Sequence, residues 1–156
     1  MMARKRSTAR PGDAVTIDDA ASARLRAAGQ RYTSQRRALV SLLAGAGSPL
    51  PVPAILAAGG GLTQSSAYRN LAVLEQAGVV RRVVTDEDFA RYEPTEELMG
   101  HHHHLVCSEC GRVEDVALPT DVEAQLDRSL DRLARGAGFA SVSHRLDLIG
   151  ICRDCG

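Results

Sequence analysis

Apolar positions recur at helical spacing through the first half of the chain. Ala21 and Leu25 share one side of a segment that predicts a short helix over residues 18–28, with Gly29 placed to end it. Leu39, Val40, Leu42 and Leu43 make the stripe of a second helix, which Thr33 or Ser34 can cap. Residues 48–51, rich in proline, predict a turn; residues 52–58 a small helix; and the glycines at 59–61 a break. Thr63 can cap a further helix over 64–76, whose apolar side is Leu71, Val73, Leu74 and Ala77, with Gly78 as C-cap. The period then changes. Residues 79–84 read as a strand, 85–88 as a turn and 89–92 as the returning strand of a hairpin.

The second half has a different order. Residues 93–100 are acidic, contain Pro94 and close on Gly100, which predicts a linker. Leu105 and Val106 predict a strand, with Val113, Val116 and Leu118 in its partner. Thr120 opens a helix, with Glu123 at the spacing of a capping box. Val122, Leu126, Leu130 and Leu133 form its stripe, Gly136 and Gly138 stop it, and residues 139–151 predict one long last strand. The fold class is α+β: an N-terminal winged helix-turn-helix domain followed by a small α/β dimerisation domain. The boundaries are a disordered basic arm at 1–17, the winged helix at 18–93, a hinge at 94–100 and the second domain at 101–156. Three strands and one helix leave a sheet face or edge poorly covered, which predicts a homodimer.

Two sets of residues carry candidate chemistry. Cys107 and Cys110 form one Cys-x-x-Cys, and Cys152 and Cys155 a second. Each pair can bring two thiolates to one ion, and together they complete a tetrahedral structural zinc site with no open position. No secretory leader is recognisable, so a reducing, cytoplasmic setting is expected and disulfides are disfavoured. The run His101, His102, His103 and His104 leads directly into the predicted strand. In extended backbone His101 and His103 face one way, and His102 and His104 the other, so two pairs can serve two ions. The fifth histidine, His144, lies on an apolar face with Val142, Leu146 and Leu148, where a core role competes with that of a remote ligand. Imidazole with carboxylate suits an exchangeable divalent ion such as iron, zinc or manganese.

The formal net charge of zero conceals an asymmetry. Residues 1–92 carry 13 Lys and Arg against 7 Asp and Glu, a balance of +6; residues 93–156 carry 6 against 12, a balance of −6. The basic half suggests an anionic partner. Gln64, Ser65, Ser66, Tyr68, Arg69 and Asn70 are predicted on the exposed face of the recognition helix, suited to base edges and phosphates of double-stranded DNA. Arg81, Arg82 and Arg91 are expected on the wing near phosphates. No apolar run has membrane-spanning length, and no nucleophile or general-base motif surrounds the histidines, so an enzyme is not expected. A metallohydrolase, and a metal-buffering or protein-interaction module, are the rival classes.

Residues 25–36 (LRAAGQRYTSQR), 66–71 (SAYRNL) and 101–111 (HHHHLVCSECG), with Cys152 and Cys155, resemble the ferric uptake regulator (Fur) family of metal-dependent repressors over residues 25–156. The resemblance implies a cytoplasmic homodimer that binds a palindromic operator, with structural zinc on the four cysteines. It implies minor-groove contact by Arg31 and recognition-helix contacts by Tyr68 and Arg69. It assigns His102 and His104 to a regulatory site between the domains, and His101, His103, Glu123 and His144 to a second site. The chain departs from the family at the remaining interdomain ligand. Leu50 stands near the histidine of iron sensors and cannot ligate, and the cysteine common in zinc sensors is absent. Glu93 stands in the comparable region and is the expected third ligand, with Glu96 next. Peroxide sensors of the family tend to carry Asp where this chain has Glu123, which disfavours peroxide sensing.

Overall fold

The computed structural model describes residues 11–58, 61–83, 90–140 and 142–156, with only the backbone described at 11–16. The chain divides into two compact units, Met1–Gly100 and His101–Gly156. In the first, helix α1 runs Pro11–Ala27, α2 Ser34–Gly45, α3 Val52–Ala57 and α4 Gln64–Gln76. Strands β1 (Leu50–Pro51), β2 (Val80–Val83) and β3 (Arg91–Pro94) form an antiparallel sheet in the order β1-β3-β2. A short helix, α5, spans Glu96–Met99.

The core of this unit is aliphatic and continuous. Ile17, Ala21 and Leu25 of α1 meet Leu39, Val40 and Leu43 of α2, Val52 and Ile55 of α3, and Ala67, Leu71 and Leu74 of α4. Both predicted threonine caps form. Thr33 Oγ1 accepts from the Arg36 amide at 3.4 Å, and Thr63 Oγ1 from the Ser66 amide at 3.3 Å. Gly78, at φ +68°, ends α4, and its carbonyl accepts hydrogen bonds from Arg24 of α1 and from Thr95.

Several boundaries differ from the sequence reading. The first helix starts at Pro11, so residues 11–17, assigned to the arm, are helical. Proline suits the first helical turn, and Ile17 extends the buried i, i+4 stripe of Ala21 and Leu25. The rest of the arm lies outside the described residues, as do the hairpin turn at 85–88 and two of the three glycines at 59–61. Leu50 and Pro51, read as a turn, pair with Tyr92 and Arg91 as an edge strand, where proline is tolerated because no ladder donor is needed. The second hairpin strand is Arg91–Pro94, and α5 follows it, so the acidic linker is built into the first unit.

The second unit has strands β4 (His103–Cys107), β5 (Val113–Val116) and β6 (Asp147–Gly150), with helix α6 (Thr120–Gly136) between β5 and β6. The sheet order is β5-β4-β6; β4 pairs antiparallel with β5 and parallel with β6. The long last strand of the prediction contracts to Asp147–Gly150, because only that stretch reaches β4. The capping box does not form. Pro119 is the N-cap, without a side-chain hydrogen bond, and Glu123 turns instead to the histidines. Among the described residues here, the buried apolar side chains are only Cys107 and Val113. No helix of the described residues is long and apolar enough to cross a membrane.

Candidate metal centres and nucleic-acid face

The four cysteines come from two tight turns. One links β4 to β5, and the other closes the chain beyond β6. Gly111, at φ +65°, lets the first turn close after Cys110. All four Sγ atoms lie within 4.8 Å of one another, with Cys110–Cys152 at 3.7 Å and Cys152–Cys155 at 3.5 Å. A tetrahedron with metal–sulfur bonds of about 2.3 Å has edges of about 3.8 Å, so the cluster fits zinc. The cysteines form no disulfide. The Cys152 amide donates to Cys107 Sγ at 3.3 Å. Backbone amides of Cys110 and Cys152 draw the Cys107 thiol down to about 6. Cys155, hydrogen-bonded by the thiols of Cys152 and Cys110, is pushed up to about 12. Four thiolates this close need a shared cation.

The second cluster joins β4 to α6. His101, His103, Glu123 and His144 bring their ligand atoms within 4.8 Å of one another. His103, 1% exposed, places Nε2 at 2.8 Å from Glu123 Oε2. Nε2 of His101 and of His144 lie 3.2 and 3.0 Å from Glu123 Oε1, and 3.3 Å from each other. Oε1 is nonetheless a buried atom without a hydrogen bond. Three imidazole nitrogens aimed at one carboxylate and at each other are poorly satisfied by protons alone and well satisfied by a divalent cation. The hydrogen bond with His103, and then the charge of the neighbouring histidines, hold the Glu123 carboxyl below the usual carboxylate range. His144, an alternative core residue by pattern, belongs to this cluster.

His102 and His104 lie toward different partners. Their rings meet edge to face at 5.4 Å, and their ligand atoms lie within 4.8 Å of Asp115. His104 is 5% exposed; its Nε2 is 3.9 Å from Asp115 Oδ1, and its Nδ1 is 3.1 Å from Asp147 Oδ1. Sequence reasoning missed Asp115 and Asp147. Asp115 had a signal, because pairing outward from the cysteine turn sets Val106 opposite Val113 and hence His104 opposite Asp115. Glu93 lies in β3 of the first unit, 3% exposed, with Oε1 at 2.6 Å from Arg81 Nε. Arg81 also bonds Glu96, so this arginine, expected near phosphates, is a partly buried partner of two carboxylates.

On the first unit, Gln64, Ser65, Tyr68 and Arg69 are exposed along α4, and Ser66 is partly so. The first turn is capped by Thr63 and holds no acidic residue that would repel phosphate. Arg31 is exposed just before α2. Asn70 does not share this face: it is buried and ties α4 to α2. Its Oδ1 accepts from Arg36 Nε at 3.1 Å, and its Nδ2 donates to the Ser66 carbonyl at 3.0 Å.

Fold and clusters together define a winged-helix protein with a cysteine-knuckle, histidine-rich second unit. The ferric uptake regulator family matches residues 27–149, and the chain belongs to that family. It is 27% identical over 137 residues to the peroxide-responsive repressor PerR of Staphylococcus epidermidis, covering 85% of this chain and 86% of that protein. The structure of the Helicobacter pylori ferric uptake regulator, described as having three functional metal-binding sites, superposes with a TM-score of 0.70 at 23% identity, covering 97% of this chain and 96% of that one. The manganese-containing ferric uptake regulator of Pseudomonas aeruginosa does so with a TM-score of 0.65 at 26% identity, covering 85% and 97%.

Proposed function

We propose that the chain is a dimeric, metal-dependent DNA-binding repressor whose four cysteines hold structural zinc and whose His102 and His104 belong to the sensing site. The observation that carries this is chemical. One small unit pairs a closed four-sulfur cluster with nitrogen and oxygen clusters of weaker, exchangeable type, in a chain that also presents an exposed polar helix face. Asp115 joins the histidines from β5. Glu93 is proposed as the ligand from the first unit, because it is a buried carboxylate just before residues 94–100, and Arg81 orients it. A divalent ion bound there supplies a cross-link and Lewis-acid charge. The residues do the rest: a set drawn from both units favours one arrangement of the winged helices and shifts the population toward it. Arg31, Gln64, Ser65, Tyr68 and Arg69 are the proposed DNA contacts. The exposed side chains Leu105, Val122, Leu133, Phe139, Leu148, Ile149 and Ile151 form the proposed apolar material of the dimer interface.

Operator binding under chelation and metal add-back tests this. The wild type loses and regains affinity with the ion, whereas the His102→Ala/His104→Ala protein stays weak. Unchanged metal dependence in that variant would rule the reading out. A second reading, a peroxide response, is favoured by the PerR relative. Loss of operator binding by the iron-loaded dimer on brief hydrogen peroxide exposure selects it, and retention selects plain metal sensing.

A further inference from the structure

His104 stands in the central strand with a carboxylate on each side. Asp115 is its partner on β5 and Asp147 its partner on β6. The two approach different nitrogens at different distances. Asp147 Oδ1 is 3.1 Å from Nδ1, a hydrogen-bond distance, whereas Asp115 Oδ1 is 3.9 Å from Nε2, too far for one. Asp115 belongs with His102 and His104 to the cluster of convergent ligand atoms, and Asp147 lies outside it. The Nε2 side, which faces Asp115, is therefore the ligand side, and the Nδ1 side is held by a carboxylate from outside the cluster. The other cluster divides in the same way: His144 Nε2 is 3.0 Å from Glu123, while its Nδ1 is 3.3 Å from Asp127 Oδ1. The side chains of Asp147 and Asp127 are 46% and 59% accessible, so burial does not force either carboxylate against a ring.

We infer that Asp147, and in the second cluster Asp127, are positioning residues. Each accepts a hydrogen bond from an imidazole Nδ1–H, fixes that tautomer and leaves the Nε2 lone pair aimed into the cluster. The inference rests on the reading of these clusters as metal sites. Strand register explains why a carboxylate can do this at His104: parallel pairing sets Asp147 directly beside it on the middle strand.

Cobalt(II) is the probe, titrated into full-length protein whose four-cysteine site is loaded with zinc and followed by its visible absorption. Asp147→Ala weakens cobalt binding by about 10–100-fold. Asp147→Asn, whose amide oxygen still accepts from Nδ1–H, recovers most of the affinity. With no exchangeable metal present, nitrogen-15 spectra show His104 as the Nδ1–H tautomer in the wild type and Asp147→Asn, a preference lost in Asp147→Ala. Cobalt affinity unchanged in Asp147→Ala but lost in His104→Ala overturns the inference and leaves the site standing. An Nε2–H tautomer for His104 in the wild type overturns it too. Affinity unchanged in His104→Ala removes the site itself, and the inference with it.

Discussion

Glu123 shows how a single side chain is decided by its surroundings. Its spacing from Thr120 suits a helix cap, yet in the fold its two oxygens face three imidazoles. The carboxyl sits below its ordinary range, so the stability it contributes is present above the ordinary carboxylate pKa of about 4.3 and lost as the pH falls through its lowered folded value. Glu123→Gln removes that contribution. In protein stripped of exchangeable metal, the melting temperatures of wild type and Glu123→Gln differ near pH 7, and the gap closes only as the pH falls from about 4.3 past the lowered folded value. A gap that stays constant across that range contradicts the assignment. The chemistry of this residue was legible in the sequence; the choice between two roles was not, because it depends on where α6 lies beside β4.

At the scale of elements, α4 has an exposed face and a buried tie. Tyr68 and Arg69 point outward, while Asn70 bridges α2 and α4 through Arg36 and Ser66. Breaking buried hydrogen bonds of this kind costs about 1–3 kcal/mol. Asn70→Ala is therefore expected to lower stability in urea by that amount and to weaken binding to all duplexes alike. Arg69→Ala is expected to leave the urea midpoint unchanged and to weaken operator binding. Equal stability loss in both variants refutes the division. Helix stripes and caps were readable along the chain because both are local. Asn70 was misplaced because its position in the helix repeat allows either an outward face or a contact with α2. The register of the last strand was likewise hidden, since α6 separates it from β4.

For the whole molecule, the two units are stabilised by different means. The first has a continuous aliphatic core. Apart from Cys107, a member of the four-sulfur cluster, the second buries only the apolar side chain of Val113 among its described residues, worth about 1.5–3 kcal/mol, whereas structural zinc in small domains supplies about 10–16 kcal/mol. Cys152→Ser is thus expected to lose zinc, unfold the second unit and release monomers, while α1–α4 keep most of the helical signal. Sedimentation, zinc content and circular dichroism read the three effects. A zinc-free dimer with intact second-unit structure contradicts this account.

The sequence by itself determined the local chemistry: that the apolar-striped segments are helical, that two cysteine pairs exist, and that alternate histidines in extended backbone face apart. Those follow from spacing within a few residues. Tertiary structure alone decided what depends on distant segments meeting. It set Asp147 beside His104, tied Arg81 to Glu93 and Glu96, and turned Glu123 to the histidines. Strand pairing and helix docking bring these groups together, and no short-range pattern encodes their registers.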